Sequence, residues 1–450
     1  MANLKKFLES NRDLEYVDIL IPDLCNIFRG KRLPIADLNK LFVGEFQIPS
    51  SIMLLDITGE GSDPGGRGFS DGDPDVCVWP IKDTLVRIPW SDEPIGQVLG
   101  SLWELDGSPC SVDPRQVLNS VWQALVTDGL FPTVAFELEF YLVDADYPKT
   151  KQLRPPVLPG SKDRLHDTQV YSIRELEEIS GFLGTVSKAC VQQGIPLGAA
   201  SAEYASGQYE INLHHTTDVL VAADQAMLMQ RAVRAIAKKF DTLATFMAKP
   251  YKDSAGNGGH VHFGLQDESG LNIFDDGTER GTSLMRHAIG GLMHTLPEAM
   301  AFFAPNANSY RRFAPDMYVP VTPSWGYNNR SVALRVPGGD QSSRRIEHRV
   351  PGADVNPYLA LAAIMAGVHY GIRNRIDPGP PSEGDEKRRA GLAFPATWEL
   401  AFERLADAKV LPNYFGSDYV RLYRMTKEFE HNRFLREINP LELDWYLSPG

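Results

Sequence analysis

Four short stretches carry side chains whose types and spacing fit ionic chemistry. In FELEF (136–140), Glu137 and Glu139 leave one face of an extended chain, while Phe136, Leu138 and Phe140 leave the other. Two carboxylates on one face repel each other unless water or a cation stands between them. In SAEYASGQYEI (201–211), Glu203 and Glu210 bracket a Gly-containing bend, so both can converge on one point. GNGGHVHFG (256–264) presents His260 and His262 on one strand face after a glycine-rich turn. RRIEHRV (344–350) sets Arg345, Glu347 and Arg349 against Ile346, His348 and Val350, an acid between two bases; parity leaves His348 on the opposite face, outside the site. Each stretch taken singly also fits the wet face of a strand.

Taken together they make five glutamates and a histidine pair on four strands. Oxygen-dominated donor sets with one imidazole suit Mg²⁺ or Mn²⁺ rather than zinc. Two divalent cations would nearly balance the five carboxylates. Basic groups at Arg311, Arg312, Arg330, Arg335, Arg345 and Arg349 crowd the same part of the chain. Planar guanidinium forks beside a two-metal site are what phosphate and carboxylate binding needs. The residues therefore read as a metal-dependent enzyme that handles a nucleotide polyphosphate and a carboxylic acid. Neither GxxxxGK[ST] nor GxGxxG occurs. GFSDG (68–72) matches GxSxG on paper but lacks the flanking strand and helix of a nucleophile elbow, and is read as chance.

The elements that position these residues follow from pattern. Residues 1–105 hold one short helix and several β-type runs (YVDILIPD, SSIMLLDIT, DVCVWPI, TLVRIPW) cut by Gly, Pro and Asp, a small β-rich domain. Asp113-Pro114 predicts an N-cap followed by proline at the first helical position, opening a helix through about 127. From there helices (about 172–193, 219–247 and 283–303) alternate with strands, and residues 106–450 read as one large α+β domain on a mainly antiparallel sheet. The stretch 377–391 reads as a polar surface loop.

The 450-residue chain is 43% hydrophobic and 23% charged, ordinary for a globular protein. A net charge of −13 disfavours nucleic acid and favours cationic small substrates. No apolar leader opens the sequence and no stretch is long enough to span a bilayer. Cys25, Cys77, Cys110 and Cys190 form no disulfide or CxxC pattern, which fits a reducing cytoplasm.

FELEF, SAEYASGQYEIN, GNGGHVHFGL, NSYRRFAP, SWGYNNRSVALRVP and RRIEHRVPGADVNPYLALAAIMAG, in that order across 134–367, resemble the ordered signatures of the glutamine synthetase family. The resemblance implies a β-grasp N-terminal domain and a catalytic domain whose curved antiparallel sheet, flanked by helices, forms a funnel completed by neighbouring subunits. It implies ATP, two to three Mg²⁺ or Mn²⁺, and a homo-oligomer, in the family a dodecamer of two hexameric rings. It places Glu139, Glu203 and Glu210 as ligands of the metal nearer the amino acid. Glu137, His260 and Glu347 fall as ligands of the metal near the phosphates. Gly256, Arg312, Arg349 and Glu203 match glutamate-site positions. His262, Arg330, Arg335 and Arg345 match nucleotide and phosphate contacts, with Arg349, Arg330 and, in the flap, Tyr318 in catalytic roles.

Two departures bear on the nucleophile. Where ammonia-using members carry F-D-G-S-S, this chain reads FQIPSS, with Gln47 at the aspartate. Where they carry a flap glutamate in P-G-Y-E-A-P, it reads FAPDMYVP, with Tyr318 there. Losing both carboxylates removes the stabilisation of NH₄⁺ and leaves room for an alkyl chain. The similarity is closer to the γ-glutamylpolyamine synthetases, which implies ATP-dependent joining of glutamate's γ-carboxyl to an organic amine such as putrescine or a longer polyamine. The alternatives are glutamine synthetase itself, a γ-glutamyl-monoamide synthetase, and an inactive scaffold relative. Ala255 and Gly264 also depart from frequent family residues (Asn and Ser). No counterpart of an adenylylated tyrosine segment is found in 377–395, so no such regulation is expected.

Overall fold

A computed structural model describes residues 2–157, 164–165, 169–314, 318–384 and 394–448. After a first helix, Ala2–Ser10, seven strands form the N-terminal sheet: β1 (Tyr16–Pro22), β2 (Phe28–Arg29), β3 (Arg32–Pro34), β4 (Gln47–Pro49), β5 (Asp75–Pro80), β6 (Val86–Arg87) and β7 (Ile95–Trp103). Their order is β2-β1-β7-β5-β4, with β3 added to β1 and β6 to β7. β1 and β7 pair in parallel, whereas the other pairs are antiparallel.

The helix Pro114–Thr127 then opens as its sequence requires, the Asp113 carboxylate accepting from the Arg115 amide. Eight strands form the second sheet: β8 (Phe131–Asp144), β9 (Leu197–Ala202), β10 (Gln208–Leu213), β11 (Thr242–Thr245), β12 (Gly259–Gln266), β13 (Trp325–Tyr327), β14 (Leu334–Val336) and β15 (Ile346–His348). The order is β13-β14-β15-β12-β8-β10-β9, with β11 also on β8. Only β13 and β14 run parallel within it. The 14-residue β8 is the spine, pairing with β10 on one side and with β12 and then β11 along the other, so that Tyr141 pairs with both Gln208 and Thr245. One of its faces is apolar: Phe136, Leu138 and Phe140 are buried in the main core.

Two helices make the centre of that core. Ser283–Phe303 and Pro357–Asn374 cross closely because glycines meet: a Cβ on Gly291 would lie 2.1 Å from the Gly367 carbonyl oxygen. Pro357–Asn374 is apolar on nearly every face, as a fully buried helix must be. Its N-cap, Asn356, accepts from the Tyr358 and Leu359 amides and donates to Asp23 O at 2.7 Å, tying the turn after β1 to the segment that follows β15.

Three sequence expectations need correction. The helix expected over 219–247 ends at Lys239, because Asp241 turns left-handed (φ 52°) and Thr242–Thr245 pairs as β11. The 172–193 helix is two pieces, Ile173–Glu178 and Ser180–Gln192, with Ile179 between them outside helical geometry. In RRIEHRV only Ile346–His348 pairs as strand, although the Arg349 amide still donates to Ala333 O at 2.9 Å just beyond it. The adenylylation segment and the 377–391 loop fall partly outside the described residues. No helix among the described residues is long and apolar enough to cross a membrane.

Candidate active site

Strand register assembles the polar face. Across β10, β8 and β12, Asn212 lies opposite Glu137, and Glu137 opposite His260. Two residues along β8, Glu139 lies opposite Glu210. Across β12, β15 and β14, His262 lies opposite Glu347, and Glu347 opposite Arg335. Glu137, Glu139, Glu210, His260, His262 and Glu347 therefore emerge side by side from four adjacent strands.

Side-chain positions sharpen this into two triads. The ligand atoms of Glu137, Glu210 and His260 lie within 4.8 Å of one another, as do those of Glu137, His262 and Glu347. Glu137 is the shared corner. The second triad is closed to metal by its hydrogen bonds: Arg345 Nε donates to His262 Nδ1 at 3.0 Å, and Arg345 has no acceptor to offer. The ring proton must then sit on Nε2, which donates to Glu137 Oε2 at 2.9 Å. His260 carries no such constraint and stands 3.4 Å from the other Glu137 oxygen. The oxygen-rich triad of Glu137, Glu210 and His260 is the arrangement that fits a hard divalent cation.

Glu347 is 1% exposed, and its two oxygens are held separately, by Arg335 Nη1 at 2.6 Å and by Arg349 Nη1. Burial alone would favour the protonated acid, but the Arg349 and Arg335 guanidiniums on its two oxygens hold this carboxyl down to about 2. Burial likewise opposes charge on Glu137, yet hydrogen bonds from His260 and His262 keep its pKa low. Glu210 goes the other way: burial and then the Glu137 charge push it up, so Glu137 keeps the charge and Glu210 the proton. Half-buried Glu203 is pushed up to about 7, by partial burial and then by the Glu139 charge, although Ser201 Oγ donates to it at 2.8 Å.

These raised carboxyls give a prediction with a definite sign. A carboxyl whose folded pKa lies above its unfolded value costs the native state stability as pH rises through that window. Without divalent metal, thermal stability should fall from about pH 5 to above pH 7, where Glu203 and Glu210 must ionise. Saturating Mn²⁺ should raise Tm by about 2–4 °C or more, and by more at pH 8 than at pH 5.5. Scanning fluorimetry over pH with and without Mn²⁺ checks both.

The remaining expected residues are distributed around this face. Glu139 accepts from the Gly258 amide at 2.6 Å and belongs to neither triad. Arg330, Arg335, Arg345 and His262 line a cavity of about 430 Å³ together with Glu137, Asn212, His214 and His215, a volume within the range of small-ligand sites. Arg312 is 2% exposed and lies under the glycine-rich turn, where a Cβ on Gly256 would meet its Cγ at 2.8 Å. It donates to Val350 O at 2.8 Å and Arg349 O at 3.4 Å, while its Nε has no partner. Tyr318 is exposed, and its carbonyl accepts from Arg349 Nη2 at 3.3 Å. Gln47 sits on the edge strand β4 with Cys77 as its neighbour, in the N-terminal sheet. His348 is fully buried against Phe303, both ring nitrogens unpartnered, its pKa pushed down by burial to about 3.

Asn212, His215 and Gln208 join the face without having been singled out by sequence pattern. The signal exists for two of them: Gln208, Glu210 and Asn212 alternate, so the parity that marks Glu210 marks all three.

Residues 111–446 match the family model for the glutamine synthetase catalytic domain. Over 445 residues the chain is 41% identical to gamma-glutamylputrescine synthetase PuuA of Escherichia coli (strain K12), covering 99% of this chain and 94% of the relative. It is 30% identical over 462 residues to glutamate–isopropylamine ligase of Pseudomonas sp, covering 100% and 98%. A solved structure of a GmaS/ADP complex superposes with a TM-score of 0.85 at 24% identity, over 99% of this chain and 100% of that one, a likeness of fold. The mixed α+β architecture, a small N-terminal sheet followed by a large catalytic domain, is that of these relatives. The chain belongs to the glutamine synthetase family and is an ATP-dependent glutamate–amine ligase of it.

Proposed function

We propose that the protein joins the γ-carboxyl of L-glutamate to an organic amine, putrescine or a longer polyamine, through γ-glutamyl phosphate. The observation that carries the amine is the pair Gln47 and Tyr318, in a chain that keeps every ionic residue of the polar face. Without those two carboxylates the small NH₄⁺ ion loses its counter-charges, and an alkylamine gains room. The 41% likeness to a relative named for putrescine supports the same reading.

The chemistry proceeds in two displacements. A γ-carboxylate oxygen attacks the terminal phosphorus of ATP and ADP departs. The amine nitrogen then attacks the acyl carbon and phosphate leaves, carrying that oxygen, while the amine gives up a proton. By the family pattern, two to three Mg²⁺ or Mn²⁺ would be held by Glu137, His260 and Glu347 and by Glu139, Glu203 and Glu210, with Glu210, already within 4.8 Å of Glu137 and His260, standing between the two sets; the ions would neutralise phosphate charge. Arg330, Arg335 and Arg345 face the phosphates from the cavity, with His262 held between Arg345 and Glu137. Arg349, which spans from Glu347 toward Tyr318, would face the transferred phosphoryl group and the γ-carboxylate. Gly256 and Arg312 hold the amino-acid end. Residues 1–105 and 106–450 act as the two domains, in a cytoplasmic ring oligomer, a dodecamer by family pattern, whose neighbouring N-terminal domain closes the amine side.

Glutamate labelled with ¹⁸O in both γ-oxygens tests the pathway. One ¹⁸O per released phosphate is expected in the presence of ATP, Mg²⁺ and putrescine. Phosphate free of label would rule out the acyl phosphate.

A further inference from the structure

Gln208 is 1% exposed and stands where three parts of the polar face meet. Its Nε2 faces three acceptors: Gly256 O at 3.0 Å, Asn257 Oδ1 at 3.1 Å and Glu139 Oε2 at 3.4 Å. A carboxamide has two hydrogens, so one acceptor is always underserved. Its Oε1 is engaged in turn by the Ala205 amide at 3.3 Å, which fixes the orientation of the group. The glycine-rich turn is otherwise held through Asn257 N to Ala248 O, Asn257 Nδ2 to Met247 O, Gly259 N to Pro351 O and the Gly258 amide, which donates to Glu139 Oε2 at 2.6 Å. The Gly256 carbonyl is thus held by the same amide that reaches Glu139.

Resting on the assignment of Glu139 to a metal and Gly256 to glutamate, we propose that Gln208 is a positioning residue coupling divalent-cation binding to the glutamate-facing turn. The Gly258 amide takes one lone pair of Glu139 Oε2, and a cation on the other would displace Gln208, whose two hydrogens would pass to Gly256 O and Asn257 Oδ1. The turn is then held in one arrangement, ready for the amino acid. Without the cation, Glu139 draws on the same hydrogens and the turn is held less tightly. Coupling of this kind is reciprocal: whatever factor Mn²⁺ adds to glutamate affinity, glutamate adds to Mn²⁺ affinity.

The test uses the full chain with neither ATP nor amine. Mn²⁺ binding is read from the electron paramagnetic resonance of the free ion, and glutamate binding by titration calorimetry, each with and without the other. In the unsubstituted protein a mutual gain on the order of 10-fold is expected. Gln208→Met keeps the volume and removes the donors. Its coupling should fall to within about 2-fold of unity, while Mn²⁺ affinity measured alone falls less than about 10-fold. Coupling unchanged in Gln208→Met, or both affinities lowered with their coupling intact, would overturn the proposal and leave a structural role. Hydrogen exchange of the peptide spanning 255–259 in the unsubstituted protein is the check that does not depend on the variant folding. Mn²⁺ alone should slow exchange there, and no change would overturn the proposal. Absence of any Mn²⁺ binding would instead refute the metal assignment itself, and this inference with it.

Discussion

Glu137→Ala is expected to lower turnover by on the order of 10³-fold and to abolish the Mn²⁺-dependent rise in Tm. Glu137 is the one side chain common to both triads, and it accepts from His262 as well as facing His260. Removing it takes a carboxylate from the cation site and leaves the His262 Nε2–H without its acceptor. The loss is therefore larger than that of one ligand. Glu210 would lose the neighbouring charge that raises it, so its pKa should fall and the pH dependence of apo stability should weaken. Steady-state phosphate release and fluorimetry with Mn²⁺ read both effects. Turnover within about 3-fold of the parent, with the Mn²⁺ shift intact, would remove Glu137 from the centre of the site.

The second large effect concerns the nucleophile. A site built to hold a small cation by carboxylates discriminates strongly against partners that cannot use them, and the converse holds when the carboxylates are gone. Here the edge strand β4 offers the neutral Gln47, and the segment after the arginine turn offers an exposed Tyr318 whose carbonyl binds Arg349. On the proposed reading, ammonium would meet the Gln47 amide and the Tyr318 phenol where it needs charge. An alkylamine keeps its own apolar contacts and needs only to release one proton. The kcat/KM for putrescine should exceed that for ammonium by on the order of 10³-fold.

Much of this face is legible in the amino-acid order alone. Alternation in FELEF, QYEIN, HVH and RRIEH assigns Glu137, Glu139, Glu210, His260, His262 and Glu347 to one side of their strands, and His348 to the other. The sheet keeps that parity, with His348 in the apolar core and the rest on the polar face. Parity does not supply register. Alternation alone does not say that Glu137 rather than Glu139 stands opposite His260, which is what makes Glu137 the shared corner; only the family resemblance groups Glu137 with His260. Nor does it reveal that Arg335 crosses from β14 to take one oxygen of Glu347, since the two lie 12 residues apart on strands three residues long. Helix periodicity carries the 219–247 expectation past Lys239, where Asp241 at φ 52° and the run Thr242–Thr245 favour the sheet instead. The family resemblance makes Arg312 a carboxylate grip, but its burial under Gly256 and Gly258 depends on a close approach that no spacing encodes.

The most direct measurement is a competition. The enzyme is incubated with glutamate, ATP, Mg²⁺ and equal concentrations of putrescine, a longer polyamine, isopropylamine and ammonium, and the products are resolved by mass spectrometry. A γ-glutamyl amide of putrescine or the longer polyamine as the dominant product, with glutamine at trace level, is the predicted result. Glutamine as the main product, with no γ-glutamyl amide of any amine, would contradict it.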